Sequence, residues 1–82
     1  MRDMARNPVV GDRIVGEVCT LEVIRVVDTP SLGTPITVWI APLGSDGKPR
    51  LDLSDCCVGL WRWREKCEND VARGYTLAPL EG

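Results

Sequence analysis

The chain has 82 residues, 44% apolar and 27% charged, with a net charge of −2 and no histidine. That size makes one small domain rather than several, and the composition excludes a disordered acidic tail. No apolar run approaches the ~20 residues of a membrane-spanning helix, and the missing imidazole removes the commonest general base and metal ligand.

Residues 1–7 are polar and aperiodic and predict a flexible arm. Pro8 opens the ordered part, and Val9–Asp12 reads as a short strand running into a turn, with Arg13–Gly16 continuing the pairing. Glu17–Asp28 is rich in β-branched residues and predicts a long central strand. Apolar groups fall on both of its faces, so it is either covered on both sides or switches face at a bulge. The segment 29–35 reads as a loop from its Pro and Gly content. Ile36–Pro42 alternates as a second strand, Asp46-Gly47 marks a tight turn, and Arg50–Leu53 predicts a short return strand.

The stretch after Ser54 admits two readings. As a helix capped by Ser54, it places Cys56, Leu60, Trp63 and Cys67 on one stripe, which Val71 extends and Gly74 stops. Gly59 weakens that helix by up to ~1 kcal/mol. As a strand, it sends Trp61 and Trp63 one way and Arg62, Arg64 and Lys66 the other. The presence of a cap and the scarcity of β-branched residues favour the helix. Gly74–Leu77 reads as a final strand, and 79–82 as a tail behind Pro79. The fold class expected is therefore α+β. A small curved antiparallel sheet of three to five strands packs on one C-terminal helix, within a single domain spanning residues 8–78. The alternative is an all-β SH3-like barrel.

Charge is balanced along the chain: four basic and five acidic groups in residues 1–41, six and seven in residues 42–82. No basic tail announces general nucleic-acid binding. The N-terminus has no apolar stretch behind its positive charge, so a secretory signal is not expected and a cytoplasmic location is. In a reducing compartment Cys19, Cys56, Cys57 and Cys67 are expected as free thiols, and they lack the C-x₂₋₄-C step of a zinc site. Asp46, Asp52 and Asp55 fit turn and cap duties. No catalytic, metal or cofactor residues are assigned.

The segment Trp61-Arg62-Trp63-Arg64-Glu65-Lys66 is the unusual one, since Trp and Arg are enriched at binding hot spots. On a helix Trp61 and Trp63 point nearly opposite ways, so both cannot be buried by one sheet. The candidate binding residues are Trp61, Arg62, Arg64 and Lys66, with Trp39 as a second aromatic anchor. A small core makes homodimerisation the default expectation. Stacking of bases on the Trp–Arg face is the alternative use.

The opener Asn7-Pro8-Val9-Val10-Gly11-Asp12, the strands after it and the run Trp61-Arg62-Trp63-Arg64 resemble, in layout, small accessory proteins of phages and prophages, among them anti-CRISPR inhibitors of host defence. That resemblance implies a non-enzymatic protein that occludes a surface of a larger host complex. Many such inhibitors are acidic DNA mimics, and a net charge of −2 departs from that pattern.

Overall fold

The structure, a computed structural model, describes residues 2–29 and 34–80. Five antiparallel strands form one open sheet: β1 (Arg13–Val15), β2 (Thr20–Thr29), β3 (Thr34–Pro42), β4 (Asp55–Val58) and β5 (Thr76–Ala78). Their order is β4-β3-β2-β1-β5, and helix α1 (Leu60–Ala72) crosses one face from the β4 edge to the β5 edge. The two edge strands do not pair, so the sheet is not a barrel and the α+β expectation holds.

β2 lies at the centre of the sheet, between β1 and β3, and its pairing with β3 contains a register shift. Val23 pairs with Ile40 and Arg25 with Trp39, which leaves Ile24 as the extra residue of a bulge. The bulge resets the alternation so that Val23 and Val26 share the helix-facing side, while Arg25 and Val27 turn away. This answers the two-faced pattern read from the sequence. Val23, Val38 and Ile40 meet Ile14 of β1 and Trp63 and Cys67 of α1 in a single buried cluster.

Strand and helix both occur after Ser54, in succession. Ser54 caps no helix; residues 55–58 pair with the open edge of β3, Cys57 opposite Val38 and Cys56 opposite Trp39. Gly59 then turns the chain at φ +99°, a backbone region costly for any residue with a Cβ, and α1 begins at Leu60. Cys56 therefore leaves the expected stripe, and Leu60, Trp63 and Cys67 keep it. The next inward position belongs to Asp70, not Val71, which is half exposed. Gly74, at φ +97°, ends the helix as expected. Its N–H bonds the Val71 carbonyl and the Tyr75 N–H reaches the Asp70 carbonyl at 2.9 Å, the paired bonds of a Schellman stop.

Three local expectations are corrected. Val9–Asp12 is a turn lying beside β2, with the Asp12 N–H on the Val9 carbonyl. Arg50–Leu53 forms no return strand: the hairpin closes at a single Leu43–Pro49 bridge, and Leu51–Leu53 winds into a 3-10 turn. Residues 2–7 differ from the loose arm read from their polarity. Met4 is buried in the core, and its carbonyl accepts the Trp63 Nε1–H at 2.8 Å. The expected loop at 29–35 falls largely on residues 30–33, outside the described residues, as do Glu81 and Gly82 of the tail.

Arg2 and Leu80, from opposite parts of the described chain, meet at Asp12. Its carboxylate is fully buried and accepts from both Arg2 Nη atoms, from the Val9 N–H at 2.9 Å and from the Leu80 N–H at 2.8 Å. Arg2 also donates to the Leu80 and Asn7 carbonyls. Burial by itself would raise the Asp12 carboxyl, but the Arg2 guanidinium and the two amides outweigh it and hold the group below the ordinary carboxylate value.

Candidate functional site

Helix α1 separates the two indoles. Two residues advance the helix by about 200°, so Trp63 enters the core, 0% exposed, while Trp61 stands 60% exposed on the outer surface. The Arg62 guanidinium lies 5.0 Å from the Trp61 ring centroid. Such stacking is worth about 0.5–1 kcal/mol at an exposed site. Among the described residues the Arg62 guanidinium makes no ion pair, so an aromatic surface and a fork of donors are presented together.

The same rotation divides the expected basic ridge. Arg62, Lys66, Asn69 and Arg73, spaced at i, i+4, i+7 and i+11, share one flank of α1. Arg64 is exposed on the opposite flank. With Cys56 and Cys57 of β4, that first flank lines a groove of about 270 Å³ between the helix and the sheet edge. Lys66 Nζ donates to Asp70 Oδ2 at 3.0 Å, so part of the groove's charge is neutralised internally. Among the described residues, Arg62, Arg64 and Arg73 make no ion pair.

Trp39 is not part of this surface. Val38 and Ile40 face the helix, so Trp39 between them lies half-buried on the other side of the sheet, beside Arg25 and Cys56. The structure thus stacks Arg62 on Trp61 and sets Lys66 beside Arg62 in the groove, whereas Arg64 lies on the flank away from the groove and Trp39 on the other face of the sheet. Asn69, Arg73 and the β4 edge complete the groove. Their helical spacing was present in the sequence, but it becomes legible only once the helix is known to begin at Leu60.

The carboxylates expected in turn and cap duties have local partners. Asp46 Oδ1 accepts the Lys48 N–H, Asp52 pairs with Arg50 at 2.8 Å, and Asp55 Oδ1 accepts the Cys56 N–H at 2.8 Å. Among the described residues, no three His, Cys, Asp or Glu side chains are grouped as metal ligands would be, and no helix is long and apolar enough to cross a membrane.

All four cysteines are free thiols. Burial, with the Asp70 carboxylate next, pushes the Cys67 thiol up to about 12, and burial raises Cys57 as well. A thiolate is the reactive form, so brief alkylation of the native protein near pH 8 is expected to spare the buried Cys67, which should label only on unfolding. Labelling of Cys67 at the rate seen in denaturant, read by peptide mass spectrometry, would contradict its burial. No family model, curated protein or solved structure matches the chain.

Proposed function

We propose that this chain is a non-enzymatic protein-binding module, anchored by Trp61 with Arg62 stacked against it and Lys66 following Arg62 along the groove. In this reading it is a phage- or prophage-encoded protein. It acts in the host cytoplasm by covering a surface of a larger host protein complex, as an anti-CRISPR-type inhibitor does. The observation that carries the reading is the exposure of Trp61. The ring has no packing duty in the core, so its area is free for a partner. Burying what remains exposed would contribute on the order of 3 kcal/mol, enough to make one residue dominate an interface.

The test is affinity capture from the native host with wild-type and Trp61→Ala proteins. Trp61→Ala is expected to weaken capture by at least ~2 kcal/mol, roughly thirtyfold. Its urea midpoint should barely move, because the ring supports nothing inside. Unchanged capture would sink the reading. The Trp–Arg stack is also a surface on which a base can lie, but Glu65 and Glu68 are exposed on the same helix and repel phosphates. Binding of single strands with a salt slope of roughly 0.7–0.9 per phosphate contact would favour nucleic acid instead.

A further inference from the structure

We propose that β4 and the adjoining flank of α1 accept an extended acidic segment of the partner protein as a sixth strand of the sheet. This rests on the protein-binding reading and specifies its mode. A stable interface takes roughly 800 Å² from each partner, several times what one indole can give, so a second surface must contribute. The groove beside Arg62 adjoins the anchor.

Three observations point to a strand. First, β4 is an edge: β3 pairs with one side, and among the described residues no strand pairs with the other. Second, the phase of the ladder is set by the Gly59 N–H on the Ile36 carbonyl at 2.8 Å. In an antiparallel pair, hydrogen-bonded and non-bonded positions alternate, so Asp55, Cys57 and Gly59 bond to β3 while Cys56 and Val58 turn their backbone outward. The Asp55 carboxylate occupies the Cys56 N–H. Among the described residues, the Val58 N–H and the carbonyls of Cys56 and Val58 have no partner and are left for a newcomer. Third, a groove runs alongside, lined by Arg62, Lys66, Asn69 and Arg73. Strand addition draws affinity from main-chain bonds and specificity from side chains standing in such a groove.

Charge selects the occupant. Lys66 and Asp70 satisfy each other, which leaves Arg62 and Arg73 against Glu65 and the groove net positive. An acidic residue on the incoming strand meets that charge. A second copy joined β4 to β4 would bring the Arg62–Arg73 flank against its own image, and like charges oppose it. The strand is only four residues long, and Asp55 blunts its start. Both features discourage indiscriminate edge pairing.

The full chain, labelled with ¹⁵N, is titrated with a blocked hexapeptide alternating Val and Glu. The expected result is movement of the Val58 and Gly59 amides and of the Arg62 and Arg73 side-chain signals. Exchange of the Val58 amide at saturation should slow about tenfold. A backbone N-methylated peptide should not bind. Replacing Glu by Lys in the peptide, or Arg73→Glu in the protein, should each weaken binding at least about fivefold. Val58→Pro, which removes an N–H that faces away from β3, should abolish binding with the fold intact. Should that variant not fold, the N-methylated peptide and the exposed Arg73→Glu decide. The proposal is overturned if β4 does not respond, or if the methylated or Lys peptides bind equally. It is also overturned if only oligothymidine binds, or if the β4 signals move with protein concentration alone. Loss of host capture in Trp61→Ala, with wild-type capture in Arg73→Glu and Val58→Pro, overturns strand addition and leaves the protein-binding reading standing. Peptide binding as expected, with capture unchanged in Trp61→Ala, overturns the Trp61-anchored reading and leaves strand addition at β4 standing.

Discussion

Asp12→Ala is expected to remove about 3–5 kcal/mol of stability, because it strands a largely buried guanidinium and two amides at once. A domain of this length holds only about 4–12 kcal/mol in total, so the variant should be close to unfolding at room temperature. Urea unfolding at pH 7 measures the loss. The bonds at Asp12 join residues 10 and 68 positions away in the chain, Arg2 and Leu80. Losing them releases both termini from the sheet. The same carboxylate gives the fold an acid limit. Its folded value lies below the ordinary Asp value of about 3.9, so its contribution is complete above that value and is lost as pH falls through the depressed one. The stability gap between wild type and Asp12→Asn should be constant from about pH 7 to pH 5 and shrink below about pH 4. A gap that stays constant down to about pH 2 would mean that the charge on Asp12 contributes nothing.

Trp63→Ala should cost about 3–5 kcal/mol, whereas Trp61→Ala, two residues away, should cost less than ~1 kcal/mol. The contrast follows from burial: Trp63 fills the space between α1 and the sheet and ties the N-terminal segment to the helix through Met4, whereas Trp61 stands largely exposed with Arg62 over its ring. Trp63→Phe keeps most of the volume and loses the indole N–H. It should cost about 1–3 kcal/mol for leaving the Met4 carbonyl unpaired. Urea midpoints of the three variants decide the matter, and equal losses at 61 and 63 would contradict the division of roles on which the candidate site depends. Intrinsic fluorescence adds a second readout, since an exposed and a sealed indole differ in quenching by iodide.

The strands and the fold class were legible because their signal is local. The β-branched run in 17–28, the alternation in 36–42 and the stop at Gly74 each depend on neighbouring residues and backbone sterics. Half of the candidate site was legible for the same reason: once a helix is accepted, 100° per residue separates Trp61 from Trp63 whatever the helix packs on. The grouping of Arg64 with Arg62 and Lys66 came instead from counting charges in a row, and a helix distributes such a row around its axis.

Composition and order alone determined a single small α+β unit, a bulge or double cover in β2, and one indole excluded from the core. Tertiary structure alone decided that residues 55–58 extend along β3 rather than coil. Their backbone groups find partners on an open edge that lies more than a dozen residues away in the chain. It also decided that residues 2–7 are packed, because the acceptor for Trp63 Nε1 lies 59 residues away in the chain and the cation for Asp12 lies 10 away, beyond a turn. Contacts of that kind depend on which distant groups are buried together, and no local pattern of residues encodes them.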